Sequence, residues 1–435
     1  MKRQSRRDFL KRSLGAAAIS WMPVIAPFPI RGRWAPSERI GFAFVGVGGM
    51  GQADIDRVLA LGPAARITAL CDVDRAHLRA ATIKVNRAQK DDACFGSGDY
   101  RDVVTRADVD AVVIATPDHW HALPAILAAH SKKDVYVEKP LTLTVGEGRA
   151  LVDAVRANER IGQTGTQQRS EKNFRRACAA VRSGRLGALD KFEIQIPANN
   201  KFAAAAWAEE PVPEGFDYEF WLGPAPRAPF TRQRCHYNFR FVGDYALGQI
   251  TNWGVHYIDI AQWMLGDAVF PRAVQGIGEY PQSGLFTNAT RVDATAWYAV
   301  KGSANGLVQL TVKTRTDGVF DGSLKITGTE GEIFVTRSKL EASRPEILAD
   351  LDEATILGRP ERGHMVDFVE AIRTRQPPVA DVEHGHRSTT TCILADIAMK
   401  TRRWVEWDAT KETIKNDETA ARLLDRSMRA PWSLA

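Results

Sequence analysis

The sequence predicts an α/β protein of two domains: a doubly wound parallel sheet over residues 38–165, then an α+β domain over residues 166–405. Short apolar runs that alternate with helix-length segments mark the first domain. Alternating strands joined by tight turns mark the second. The chain has 435 residues, 44% of them apolar and 25% charged, which is enough to bury two cores. Residues 1–37 read as a signal and linker, and residues 406–435 as a C-terminal tail.

The N-terminal segment opens with Ser5-Arg6-Arg7-Asp8-Phe9-Leu10-Lys11, a twin-arginine sequence ahead of a modestly apolar run over residues 14–30. Gly15, Pro23, Pro27 and Pro29 make that run a poor membrane-spanning helix, so it reads as an export signal cleaved between Ala18 and Ser37. The expected partner is the twin-arginine export machinery, and the mature protein is expected in the periplasm or outside the cell with no stable membrane span. The same segment explains the charge. Residues 1–39 hold nine Lys/Arg and two Asp/Glu of the chain's 58 and 52, leaving 49 basic against 50 acidic residues in the remainder. The formal charge of +6 therefore belongs to the tail, and no basic field remains for a nucleic-acid partner. Cys71, Cys94, Cys178, Cys235 and Cys392 show no paired spacing and read as buried, inert thiols.

Residues 40–45 form a short apolar strand followed by Gly46-Val47-Gly48-Gly49-Met50-Gly51 and a helical stretch over residues 52–61. The first glycine of such a loop permits a tight turn and the second lets the backbone approach a pyrophosphate. The third, Gly51, lets the helix pack on the strand. A second strand, residues 66–71, ends at Asp72, 21 residues after Gly51 and close to the spacing of the acid that binds the adenosine ribose. A carboxylate there favours NAD, with NADP left open because Arg75 stands nearby. Strands at 111–115, 134–137 and 161–164 alternate with helices at 122–129 and 148–158. Their C-terminal ends carry Thr116-Pro117-Asp118-His119-Trp120-His121, Glu138-Lys139-Pro140 and Thr166-Gln167-Gln168-Arg169. Ligands of a doubly wound sheet bind at those ends. Thr116, Pro117, His119, His121, Glu138, Lys139 and Gln167 are therefore read, with Gly46, Gly48, Gly49, Met50, Gly51 and Asp72, as cofactor residues.

In the second half, residues 191–196, 294–300 and 307–314 alternate like strands, and residues 324–326 and 332–335 flank a Gly328-Thr329-Glu330-Gly331 turn. Residues 197–248 are rich in proline and aromatics, which suit either the faces of sugar rings or the packing of a long loop. Residues 253–266 read as a helix with Val255, Ile258 and Ala261 on one face and His256 and Asp259 on another. His119/His121 and His384/His386 are His-x-His pairs without a third ligand at metal spacing, so no metal is expected. The second pair precedes a helix over residues 387–400.

The glycine loop, the Ala115-to-His121 segment, Glu138-Lys139-Pro140 and Asn252-Trp253-Gly254-Val255-His256 together resemble the Gfo/Idh/MocA oxidoreductases. The resemblance covers nearly all of residues 38–405. It implies a Rossmann domain followed by an α+β domain with an open, mostly antiparallel sheet, and carbohydrate as the substrate class. It also implies that Lys139 contacts the reacting hydroxyl beside the nicotinamide and that His256 accepts its proton, with Arg169, Asn252, Trp253 and Asp259 on the substrate. Asn252 departs from the pattern, since many members carry Asp there. An amide cannot stabilise a protonated histidine as a carboxylate does, so His256 is expected to be a weaker base. An open sheet with one exposed face predicts a homodimer or homotetramer.

Hydride transfer from a secondary alcohol needs a held nicotinamide, a base and a cation for the developing alkoxide. Export removes the enzyme from the cytoplasmic nucleotide pool, so the sequence predicts a tightly held, internally recycled cofactor. Two readings stay open beside net oxidation of a sugar hydroxyl. One is redox-neutral glycoside cleavage through a transient keto-sugar, in which a ketone acidifies the neighbouring C–H and permits elimination. The other, of a different class, is a non-catalytic binding protein with a structural nucleotide.

Overall fold

The computed structural model describes residues 39–199, 207–266 and 269–434. The twin-arginine segment lies outside the described residues. Six strands form the first sheet: β1 (Ile40–Val45), β2 (Ala65–Cys71), β3 (Phe95–Ser97), β4 (Ala111–Ile114), β5 (Asp134–Val137) and β6 (Gly162–Thr164). Their order is β3-β2-β1-β4-β5-β6 and every pairing is parallel. The order reverses between β1 and β4, which opens a crevice at their C-terminal ends.

Strand alternation divides this domain into two cores. Phe42, Phe44, Leu70, Val113 and Tyr136 face one side with Phe368. Ala43, Val45, Ala69, Val112, Ile114, Val135 and Val137 face the other with Ala125, Leu151 and Val155. A parallel sheet buried on both faces needs such unbroken apolar runs.

The second sheet has nine strands: β7 (Leu189–Ile196), β8 (Ala273–Glu279), β9 (Arg291–Ala299), β10 (Leu307–Thr314), β11 (Ser323–Gly328), β12 (Gly331–Val335), β13 (Leu340–Ala342), β14 (Val405–Asp408) and β15 (Thr413–Ile414). They run in the order β13-β12-β11-β7-β10-β9-β8-β14-β15. The β7–β10 pairing is parallel and the others are antiparallel. On β9 the inward Val292, Ala294, Ala296 and Tyr298 are buried against the helices Lys172–Arg182, Val255–Leu265 and Val382–Thr401. The α/β architecture is thus a parallel sheet followed by a mixed, mostly antiparallel one.

Three local expectations need correction. The last long helix begins at Val382, because Asp381 caps it by accepting from the backbone N–H of Glu383. His384 and His386 therefore lie within its first turns, not before it. The segment expected to be helical from 253 starts as a wider turn at Ile250–Gly254 before the helix Val255–Leu265, which ends at Gly266. Residues 406–435 do not hang free: β14 and β15 extend the sheet. Further on, Arg426 pairs with buried Glu147, and Trp432 packs edge-on against Trp120 at 4.8 Å between centroids. Among the described residues no helix is long and apolar enough to cross a membrane. All five cysteines are buried and none is in a disulfide.

Candidate active site

A cavity of about 560 Å³ occupies the crevice, within the range of small-molecule sites. One wall is the first sheet's C-terminal edge, and the other comes from residues 216–252 of the second domain. The glycine loop builds one end. Gly46 turns at φ +83°, where L side chains are strained, and a Cβ on Gly51 would stand 2.1 Å from the carbonyl oxygen of Gly46. Gly51 thus packs helix Gly49–Leu59 against the turn, while Gly46, Gly48, Gly49 and Met50 line the cavity. A Cβ at Gly49 would meet nothing within 4 Å, and that helix has neither a side-chain cap nor an acid in its first turn. Open N–H donors beside a bare backbone are the cradle a pyrophosphate requires, so the loop fits a dinucleotide.

Asp72 lines the cavity at the glycine-loop end. It accepts from the backbone N–H of Val47 and of Asp74, each at 2.9 Å. Burial raises its pKa, and those two N–H groups oppose the rise. The second domain closes over this end. Arg75 N–H donates to Gly215 O at 2.9 Å, and Asp217 N–H donates to Val73 O at 3.0 Å. His77, Asp74 and His236 bring ligand atoms within 4.8 Å of one another here, a trio invisible in sequence because His236 comes from the other domain.

At the other end Lys139 donates from Nζ to the backbone oxygen of Asn252 at 3.0 Å and to its Oδ1 at 3.1 Å. Burial, and then the neighbouring Arg240, lower the pKa of Lys139 to about 8. Arg240 Nε donates to the same Asn252 Oδ1 at 3.3 Å. Asn252 is held in turn by donating to Gln249 Oε1 at 2.9 Å. Asp118 lines the same end, and burial lifts its carboxyl to about 7 against the pull of Lys139 and Arg240. His256 opens the helix Val255–Leu265 but does not line the cavity: it is 5% exposed, with Nδ1 buried and without a hydrogen bond. Burial first, then Lys139, Arg337 and His364, hold its pKa well below the usual imidazole value, so its ring is neutral at pH 7.

The comparisons with known proteins agree with the fold. Residues 40–166 match the NAD-binding Rossmann fold of an oxidoreductase family, and residues 199–434, more than half the chain, match that family's C-terminal alpha/beta domain. This chain belongs to the Gfo/Idh/MocA oxidoreductases. Among curated relatives of this Gfo/Idh/MocA protein, glycosyl hydrolase family 109 protein 2 of Shewanella sp. (strain ANA-3) is 34% identical over 172 residues, 36% of this chain. That match spans 38% of the relative, so the chain aligns with little more than a third of the relative's own length. Two solved structures share the fold. WlbA dehydrogenase from Bordetella pertussis, in complex with NADH and UDP-GlcNAcA, has a TM-score of 0.63 at 17% identity over 85% of this chain and 99% of its own. Aldose-aldose oxidoreductase from Caulobacter crescentus, complexed with glycerol, has a TM-score of 0.61 at 16% identity over the same shares.

Not every residue expected in this Gfo/Idh/MocA site reaches the cavity. Thr116, Pro117, His121, Glu138, Lys139 and Asn252 line it. His121 has its Nδ1 2.7 Å from Pro140 O and Nε2 3.0 Å from Thr116 O, and burial lowers its pKa to about 4, so it ties two loops together as a neutral ring. His119 does not line the cavity: its ring is buried with Nε2 3.1 Å from Trp221 O, which bridges the two domains. Gln167 donates to Glu138 Oε1 at 2.6 Å and steadies that carboxylate from outside the cavity. Arg169 and Asp259, expected on the substrate, pair instead with each other. Nε–Oδ2 is 2.7 Å and Nη2–Oδ1 is 3.0 Å, and both side chains are almost wholly buried. Trp253 packs edge-on against Phe320 and under the Arg337 guanidinium, away from the cavity lining.

Asp118 and Arg240 are the residues missed. Asp118 stood in view within the Thr116–His121 segment, and its burial alone singles it out. Arg240 lies among the aromatics of the 197–248 interval, and no spacing rule ties it to Lys139. Most of those aromatics, including Tyr218, Phe230, Phe241 and Tyr245, form a core of their own; Phe216, Trp221 and Phe239 of that core also face the cavity, and Phe220 and Tyr237 face it from outside the core.

Proposed function

We propose that the protein is an exported oxidoreductase that acts on a secondary hydroxyl of a sugar or sugar derivative and keeps its nicotinamide cofactor bound through successive turnovers. The observation that carries this reading is the environment of Lys139. An ammonium has three N–H donors. Two are engaged by Asn252, which fixes the nitrogen at the end of the dinucleotide cleft and leaves the third for a substrate oxygen. NAD bound in the glycine-loop cradle supplies the acceptor and donor of a hydride.

The chain's own groups do the rest. Lys139 stabilises the negative charge that grows on the hydroxyl oxygen, and it does so in a buried setting where such a contact is strong. His256, the sequence's candidate for the hydroxyl proton, is a neutral ring that stands outside the cavity lining. Its depressed pKa makes it a weak base, which fits the absence of a carboxylate at position 252. Lys139, at about 8, is better matched to proton traffic near neutral pH. The second domain's cover over the adenosine end, through the Arg75–Gly215 and Asp217–Val73 backbone bonds, suits a nucleotide that stays in place. Asp72 favours a free 2′-hydroxyl, so NAD is the expected form over NADP. A dimer or tetramer built on the open sheet remains part of this reading.

The relatives named glycosyl hydrolase family 109 favour a second reading of the same site, redox-neutral cleavage of a glycoside. The two readings share the first step, oxidation of a ring hydroxyl to a ketone, in which the chain's own groups take the hydroxyl proton and a bound nicotinamide would take the hydride from carbon. They differ in whether the bound nucleotide is restored by a second substrate or by the same sugar after elimination and water addition. The test is to add single sugars, sugar pairs and aryl glycosides to the purified protein without added nucleotide. Turnover that needs a carbonyl acceptor supports the oxidoreductase, whereas repeated release of the aglycone with no acceptor supports the glycosidase.

A further inference from the structure

A second cation stands at the reacting end without a carboxylate of its own. Arg240, half-buried in the cavity wall, spends Nε on Asn252 Oδ1 at 3.3 Å and Nη1 on Tyr237 O at 3.1 Å. Its guanidinium carbon lies 4.9 Å and 4.6 Å from the ring centroids of Tyr237 and Phe239. Both hydrogen bonds therefore go to neutral oxygens, both ring contacts are to neutral faces, and Nη2 makes no hydrogen bond among the described residues. No described carboxylate comes within 4.0 Å of it, and it shares its one side-chain acceptor with Lys139. Asp118 is the acid facing the pair, and burial keeps it only partly ionised near neutral pH. A partly desolvated guanidinium without a counter-ion is costly, and its planar fork matches a carboxylate in a way that a lysine does not. The pyrophosphate of a dinucleotide is already provided for at the glycine loop, at the opposite end.

We propose that Arg240 receives a carboxylate of the substrate, so that the site is built for an acidic sugar whose neighbouring hydroxyl meets Lys139. This rests on the sugar-oxidoreductase reading for the hydroxyl but not for the carboxylate. The two are separable by measuring binding and redox change on the same samples. Calorimetry on the nucleotide-loaded protein with glucuronate against glucose, and galacturonate against galactose, reads the carboxylate preference directly. At least one acid is expected to bind about tenfold or more tightly than its neutral twin, with a preference that weakens as salt is added. R240Q should reduce that preference to near parity and R240K should keep part of it. No preference in either pair, or an R240Q loss equal for acid and neutral sugar, overturns the proposal and leaves Arg240 as a prop for Asn252. The absorbance of the bound nucleotide separates the two readings. An Arg240-dependent acid that never reduces the nucleotide keeps the carboxylate site and removes the hydride reading. Neutral sugars that reduce it, with no acid preference, do the reverse.

Discussion

Lys139 Nζ donates to both oxygens of Asn252, the backbone carbonyl at 3.0 Å and the side-chain amide at 3.1 Å. Both acceptors are neutral, so they fix the position of the ammonium without adding an opposite charge. The residue that departs from the family pattern therefore bears on the lysine directly. With burial and Arg240 acting on it as well, Lys139 sits at about 8.

Asn252→Asp places a carboxylate against Lys139. If protonated Lys139 is the working form, kcat/KM of the native protein falls as pH rises through about 8, because the donor is lost. An opposite charge at this distance raises an ammonium pKa by about 1–3 units. The variant's alkaline limb is expected to move up by that amount, read from the pH profile with the substrate that reduces the bound nucleotide. An unmoved limb would assign the titration to another group.

Removing the donor altogether is more severe. Lys139→Met should lower kcat by about 10²–10³ while the nucleotide content of the purified protein stays near that of the native chain. A large loss of nucleotide in this variant would mean that Lys139 holds the cofactor and does not serve the substrate.

Asp118 carries a stability cost with a definite sign. Its folded pKa of about 7 lies above the unfolded carboxylate value of about 3.9, so the folded state binds the extra proton between those limits. Wild-type stability from this group is complete below pH 4 and is lost as pH rises through 7. Asp118→Asn removes the buried charge and should stabilise the nucleotide-free protein at pH 8 by up to about 4 kcal/mol, with little effect at pH 4. Chemical denaturation at the two pH values checks this. Equal shifts at both would contradict it.

Arg169 and Asp259 give a test of role. As a buried, bidentate pair outside the cavity they should behave as structure. Arg169→Met strands the carboxylate and should cost about 3–5 kcal/mol, whereas the double variant Arg169→Met, Asp259→Leu should regain most of that loss. A double variant that folds well but no longer binds sugar would return the pair to the substrate site.

The parts of the fold that were legible in sequence are those where one rule dominates. Short, mainly apolar runs located β1, β2, β4 and β5, and the spacing of Gly46, Gly48 and Gly51 located the glycine loop, where Gly46 is strained and Gly51 crowded. Glu138-Lys139-Pro140 and Asn252 were readable because their position at strand and helix ends is a property of the fold. The expected site residues that the structure places outside the cavity share a cause. His119, Arg169 and Asp259 are polar residues beside functional ones, and sequence does not say whether a polar group faces a ligand or another buried partner. His236 was hidden because Asp74 and His77 come from the other domain, and Arg240 because Lys139 and Asp118 do. The C-terminal strands escaped notice because β14 and β15, at one end of the sheet, are short and offer little alternation to read.

The central claim is that the protein works with a nucleotide it keeps. The most direct measurement is the near-ultraviolet absorbance of the purified, undiluted protein as sugars are added with no nucleotide in the buffer, followed by denaturation and mass identification of what is released. Near-stoichiometric NAD that becomes reduced on adding one sugar, and is reoxidised on adding a carbonyl acceptor or by the same sugar's own product, is the predicted result. A protein that arrives empty and binds added NAD only weakly, or one whose bound nucleotide no sugar alters, would contradict it.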